Sequence, residues 1–224
     1  MPYKPSGKEE TKFLENYDAS KYEKPSLAAD VALFAVDSGS LKLLLIERGG
    51  FPYKGYWALP GGFVDIDEDI ADAAKRELNE ETGIDVSYLE QAAVWGKPNR
   101  DPRQRVITVS FVALVELDSV KAKAGDDASQ AEWFAITDYK KSVGETDTRV
   151  TYTLRGKTNI TAEVVFPNNR IQEITAEESG GLAFDHAESI AVSVELLKRR
   201  AAEIAQFSLE KRQREQAVRV VLST

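Results

Sequence analysis

The segment RELNEETG, residues 76–83, places Glu77, Glu80 and Glu81 in the last turns of a helical pattern, just before a glycine. Carboxylates at positions i, i+3 and i+4 share one helix face and repel. They also sit at the end of the helix dipole that disfavours anions. Local stability argues against this choice of residues, and a divalent cation would offset the repulsion. Upstream, Gly61 and Gly62 let backbone carbonyls approach such a cation, because no side chain obstructs them. An oxygen-lined cluster of this kind suits Mg²⁺ or Mn²⁺. Those ions bind pyrophosphate oxygens, neutralise charge in the transition state and activate water. Arg76, four residues before Glu80, pairs within the helix or orients Glu77. Glu68, near the helix start, orients a partner rather than binding metal.

Composition narrows the alternatives. The chain has 224 residues, no cysteine, and His186 as its single histidine, so thiolate and imidazole metal clusters are excluded. A formal net charge of −8 speaks against a broad nucleic-acid or anionic-membrane surface. No apolar run reaches the length of a membrane span, and the opening MPYKPSGKEETKFLENYD has no signal-peptide core. A cytoplasmic location without membrane or nucleic-acid partners is the expectation.

The elements that must position the carboxylates follow from hydrophobic period. Residues 1–27, with three prolines, read as an irregular arm. LAADVALFAV (28–37) and LKLLLIER (41–48) read as a strand pair joined by a turn. A short strand is expected around Trp57–Leu59. From Asp67 to Thr82 the residues Ile70, Ala74 and Leu78 recur at helical spacing, with Asp65 or Asp67 as cap and Gly83 as stop. Segments 84–96, 105–117 and 130–136 read as further strands. A hairpin around 149–166 reads as an insertion after the main sheet. From 184 onward the sequence is helical, as one long helix and a second. Strands, helix, strands and helices in that order suggest a mixed sheet with helices packed on it.

The whole stretch GFVDIDEDIADAAKRELNEETGI (62–84) resembles the signature of the Nudix hydrolases at every defining position: Gly62, Glu68, Arg76, Glu77, Leu78, Glu80, Glu81, Gly83 and Ile84. KGYWALPGGFV, WGKPNRDPRQRVITVSFVALV, GDDASQAEWF and LAFDHAE are similar to the ADP-ribose pyrophosphatase branch of that family. The resemblance implies an α/β/α sandwich with a mixed sheet, here with an inserted β-hairpin and C-terminal helices. It divides the chain into an arm at 1–27, a Nudix domain at 28–206 with an insertion at about 140–180, and a helical tail at 207–224. It also implies Mg²⁺-dependent hydrolysis of a nucleoside diphosphate linked to another group, ADP-ribose yielding AMP and ribose 5-phosphate. Glu77, Glu80 and Glu81 match the family's metal ligands, with a carbonyl from Gly62. The branch includes homodimers, some exchanging N-terminal segments, and a homodimer is expected.

Other assignments leave alternatives. The family supplies one more acidic residue from a later loop. Asp126 and Asp127 stand there, Asp127 being favoured as ligand or water-activating base, with ordinary loop residues as the alternative. Arg100, Arg103 and Arg105 are candidates to clamp the diphosphate, which suits guanidinium geometry, or belong to a solvated loop. Trp95, Phe51 and Tyr53 either stack on a base or pack. His186 holds the start of the long helix, because no nucleophile elbow accompanies it. The same branch contains ADP-ribose-sensing repressors of NAD metabolism. Only 38 residues follow His186, short for a winged helix, and the signature is intact, so the enzyme is expected over the sensor. Sanitation of 8-oxo nucleotides shares the signature.

Overall fold

The computed structural model describes residues 3–119, 128–168, 174–207 and 221–223. Strands β1 (Ser26–Asp37) and β2 (Ser40–Arg48) form the expected antiparallel pair. Ser38 and Gly39, both at positive φ, make the turn between them. β1 is apolar nearly throughout because both its faces are covered. Ala29, Val31 and Leu33 pack to one side, while Ala32 and Phe34 pack to the other. Short strands β3 (Trp57–Ala58) and β4 (Gly61–Phe63) pair with β2 and β1, respectively.

Helix α2 spans Ile70–Thr82. Its cap is Asp69, whose side chain accepts from Ala71 N–H, rather than Asp65 or Asp67. Gly83 ends it in the left-handed conformation, φ 69°, as expected. Ala74 and Leu78 are fully buried against β1, with Ile70 partly buried beside them. Strand β5 begins only at Glu90 and runs to Trp95, because Ile84, Val86 and Leu89 are spent tucking the connection under the sheet. Strand β6 (Val106–Glu116) runs parallel to β1.

The segment expected as an inserted hairpin instead continues the main sheet. Strands β7 (Ala128–Val143), β8 (Asp147–Arg155), β9 (Asn159–Pro167) and β10 (Thr175–Glu178) extend it, in the order β10-β9-β8-β7-β2-β1-β6-β5. β7 achieves this by running past its register irregularity at Thr137–Lys140, where Asp138 has φ 54°. The arm is not irregular throughout, since a helix α1 spans Lys8–Glu15 and buries none of its residues. Helix α3 (His186–Phe207) crosses the face opposite α2, completing the sandwich. The second C-terminal helix was expected mostly within residues that lie outside those described. No helix among the described residues is long and apolar enough to cross a membrane.

One half-buried acid, Glu188, ties α3 to the sheet extension. Glu188 accepts a hydrogen bond from Ala176 N–H at 3.0 Å. Burial pushes its carboxyl above the ordinary range, backbone N–H groups and Lys97 pull against that, and Asp185 adds to the rise. Such a group favours the fold fully below the ordinary carboxylate range, and that contribution is lost as pH rises through the elevated value. Glu188→Gln keeps the acceptor and removes the loss. It is therefore expected to melt like the unmodified protein near pH ~3.5 and higher than it near pH ~8. Equal melting shifts at both pH values would refute the assignment.

Candidate functional site

The acidic face of α2 meets the β3–β4 turn across a cavity of about 450 Å³. Arg76 organises that face. Its five N–H donors are all engaged: Nη2 donates to Glu68 Oε1 at 2.6 Å and to the Phe63 carbonyl at 3.0 Å. Nε donates to Glu68 Oε2 at 3.1 Å. Nη1 donates to Glu77 Oε1 at 2.7 Å and Glu80 Oε2 at 3.2 Å. Arg76, expected among the catalytic residues, thus has no donor left for a substrate. It orients carboxylates, and Glu68 is its principal partner.

The three signature glutamates part company. About 100° of rotation per residue sets Glu80 and Glu81 on opposite flanks of Glu77. Glu77 and Glu81 line the cavity, whereas the Glu80 side chain is 57% exposed and, among the described residues, held only by Arg76. Among the described residues no three acidic or histidine side chains stand ready around one point. The expected three-carboxylate cluster is therefore a pair with an outlying third.

Glu81 Oε2 accepts from Gly61 N–H at 2.8 Å. Burial pushes its carboxyl up to about 8, with Glu77 and Asp30 adding to the rise and Gly61 N–H and Arg48 opposing it. Burial likewise raises Glu77, against the pull of Arg76. Gly61 is obligatory here, since its clash would be with β1 backbone, whereas a side chain on Gly62 would push the Glu77 carboxylate aside. A Cβ on Gly62 would lie 2.4 Å from the Glu77 carboxyl carbon, and one on Gly61 would lie 2.4 Å from Asp30 Oδ1 and Ala29 O. Gly61 spends its N–H on Glu81, so it supports the carboxylate rather than a substrate.

The three expected clamp arginines are used differently. Arg100 lines the cavity, but its guanidinium forks onto Asp185, with Nε to Oδ2 at 2.6 Å, and its Nη1 reaches Thr108 Oγ1 at 2.8 Å. It is an internal tie. Arg103 is forked onto buried Asp101 and lies over the rings of Phe63 and Phe184 at 5.2 and 5.8 Å. Arg105 does not line the cavity; it caps the carbonyls of Gly96, Lys97 and Val106. Trp95 is turned away as well, bonding Ser110 Oγ through Nε1. Tyr53 packs edge-on against Phe184, while Phe51 is 85% exposed on the cavity rim. Asp127 and Asp126 lie outside the described residues.

Residues that the motif did not single out complete the cavity. Asp30 interrupts the apolar run of β1, and a charge in a strand covered on both faces was a visible signal. His186 is buried; its Nδ1 accepts from Leu59 N–H at 2.9 Å and its Nε2 stands 3.4 Å from Asp30 Oδ2. Arg48, at the end of β2, lines the cavity with its guanidinium 5.0 Å over the Phe184 ring. Its Nε is spent on the Pro52 carbonyl, but no carboxylate among the described residues pairs with it. Burial and neighbouring Arg103 push its pKa down, with Glu81 opposing. Nothing in its local sequence distinguishes it from a strand-end arginine.

Carboxylates raised by burial, the glycine backbone beside them and the Arg48 guanidinium line one cavity. The chain belongs to the Nudix family: the NUDIX domain matches residues 24–154. Within it, the chain falls in the ADP-ribose-related branch. It is 43% identical over 129 residues to the ADPR responsive transcriptional repressor NtrR of Acinetobacter baylyi, covering 57% of this chain and 51% of the repressor. It is 38% identical over 130 residues to the ADP-ribose pyrophosphatase of Methanocaldococcus jannaschii, covering 58% of this chain and 75% of that protein. The chain thus spans about half the length of the Acinetobacter relative and three quarters of the archaeal one. A MutT/nudix family protein from Enterococcus faecalis superposes with a TM-score of 0.65 and 33% identity, covering 84% of this chain and 68% of that one. The NUDIX domain of Shewanella oneidensis NrtR, complexed with ADP ribose, superposes with a TM-score of 0.58 and 27% identity over 84% of this chain and 98% of that one.

Nudix hydrolases generally use divalent metal ions, and the residues present fit one. Glu77 and Glu81 are oxygen donors whose charged forms burial disfavours, which an adjacent cation would reverse. Gly62 offers a carbonyl with no side chain in the way.

Proposed function

We propose that this chain is a divalent-metal-dependent pyrophosphohydrolase that cleaves a nucleoside diphosphate joined to another group, with ADP-ribose as the foremost substrate. Water would enter at phosphorus and the bridging P–O bond would break, giving AMP and ribose 5-phosphate. The observation that carries the reading is the convergence of Glu77 and Glu81 on the Gly61–Gly62 turn inside a cavity that Arg48 also lines. Glu77, Glu81 and the Gly62 carbonyl would hold Mg²⁺ or Mn²⁺; Glu80 is reserved by Arg76 and would join only on its release. A bound ion would neutralise diphosphate charge and acidify its water. Arg48 supplies the cation that the motif lacked.

Arg48→Ala is expected to raise KM for ADP-ribose about tenfold, the loss of one charge-assisted contact worth ~1.4 kcal/mol, with a smaller change in kcat. Unchanged KM in steady-state kinetics would remove Arg48 from the site. The activity itself is tested by a hydrolysis panel with Mg²⁺ or Mn²⁺: ADP-ribose, NADH, nucleotide sugars, diadenosine polyphosphates and nucleoside triphosphates, with products identified.

A second reading is favoured by the identity to the Acinetobacter repressor: an ADP-ribose-responsive regulator. Tight ADP-ribose binding without turnover of any panel member, together with retention of DNA, would select it. We assign the arm, the Nudix domain and the tail to 1–27, 28–206 and 207–224, and a cytoplasmic homodimer as the working state. Exposed Phe13 and Tyr17 beside each other on the arm are consistent with packing on a second copy.

A further inference from the structure

We propose that His186 and Asp30 form a positioning pair that sets the Glu81 carboxylate, so that the first residue of α3 governs the metal-binding edge of the cavity. The inference rests on the reading of Glu77 and Glu81 as ligands.

The chain of contacts is continuous. His186 Nδ1 accepts from Leu59 N–H, so that nitrogen bears the lone pair and the ring hydrogen falls on Nε2, facing Asp30 Oδ2 at 3.4 Å. Asp30 is opposite Gly61 in the β1–β4 ladder, and its Oδ1 would lie 2.4 Å from a Gly61 Cβ. The loop is pinned to β1 once more by Val31 N–H donating to the Pro60 carbonyl at 2.8 Å. Gly61 N–H then donates to Glu81 Oε2 at 2.8 Å. Gly61 therefore stands between two carboxylates, that of Asp30 with its Oδ2 3.4 Å from His186 Nε2 and that of Glu81 accepting its N–H.

A histidine that merely started α3 would need none of this. The helix start is made by its backbone N–H, which donates to the Ala183 carbonyl. Its ring instead reaches 127 residues back along the chain to the turn that carries the glycines. Without the ring, Leu59 N–H is left buried and unpaired and Asp30 loses the imidazole beside it. The turn then relaxes and Gly61 N–H leaves Glu81. Groups that orient a ligand in this way cost roughly 10–100-fold in metal affinity or activity when removed.

The test compares His186→Ala, His186→Gln and Glu81→Gln, all freed of metal. Mn²⁺ binding is read from the electron paramagnetic resonance of the free ion, alongside melting temperature, kcat and KM for ADP-ribose. His186→Ala is expected to weaken Mn²⁺ binding about tenfold and lower kcat by ~10–100-fold, with KM within about twofold. His186→Gln, whose amide both accepts and donates, should recover most of the loss. A folded alanine variant that melts lower yet binds Mn²⁺ as the unmodified protein does would overturn the proposal and leave His186 structural. Should that variant not fold, His186→Asn takes its place, its shorter amide being unable to serve both Leu59 and Asp30. Unaltered Mn²⁺ binding in Glu81→Gln would instead sink the ligand reading itself, so the two failures are distinguishable.

Discussion

Glu81→Gln should lose Mg²⁺-dependent turnover by about 10³-fold, some 4 kcal/mol of transition-state stabilisation, while melting no lower than the unmodified protein. The reason lies in the environment of the carboxyl. Burial already disfavours its charged form, and Glu77 and Asp30 add like charge around it. Without a cation the site is an electrostatic cost to the fold, and an amide of the same shape relieves that cost. The amide still accepts from Gly61 N–H, but it is a poor ligand for a hard ion. A change in an ordinary helix-face glutamate would leave both quantities nearly untouched. Retained activity, measured as kcat with ADP-ribose, or a melting temperature lowered by several degrees, would contradict the assignment. Glu80→Gln provides the contrast: its side chain reaches only Arg76 at the solvent edge, and a much smaller loss is expected.

The second large effect is on stability. Arg100→Ala is expected to cost about 3–5 kcal/mol, because it strands the Asp185 carboxylate beside a cavity wall without its partner. In a domain of this size that corresponds to a fall of roughly 6–20 °C in melting temperature. The Arg100 side chain is 6% exposed and that of Asp185 is 16% exposed, so solvent cannot substitute for the lost fork. Pairing Arg100→Met with Asp185→Asn removes both charges and should restore a large part of the stability, since the single change is costly mainly through the orphaned acid. Equal destabilisation in the single and paired variants, followed by thermal melts, would mean that packing rather than charge is at stake. A clamp arginine would behave oppositely, raising KM without lowering the melting temperature.

These two residues show where sequence and structure divide the information. The hydrophobic period placed α2 and its glycine stop within about one turn, because Ile70, Ala74 and Leu78 can serve only one buried face. The signature spacing likewise implies that Glu77 and Glu81 lie together, as they do on the cavity wall, since a helix makes i and i+4 neighbours by its own geometry. Spacing along the same helix also implies Glu80 as an equal partner, whereas the fold leaves its side chain exposed beside Arg76. Which flank faces the cavity depends on where β4 runs, and that is set by pairing with β1, not by anything within the helix.

The loop arginines were beyond reach for a similar reason. NRDPRQR offers three interchangeable guanidinium groups, and only the positions of Asp185, Asp101 and the Gly96–Lys97 carbonyls sort them into a tie, a stack and a cap. The hairpin at 149–166 was recognised as a hairpin, but its place in the main sheet depends on the irregularity at Thr137–Lys140, which lets one strand serve both sections.

Local sequence by itself determined most of the elements and the glycine-flanked acidic helix, because each depends on residues a few positions apart. Tertiary structure alone decided which two glutamates share the cavity, that Arg48 rather than the loop arginines faces it without a carboxylate partner among the described residues, and that His186 grips a turn 127 residues away. Contacts across such separations are fixed by how strands pair and which faces helices cover, and no short pattern of residues encodes them.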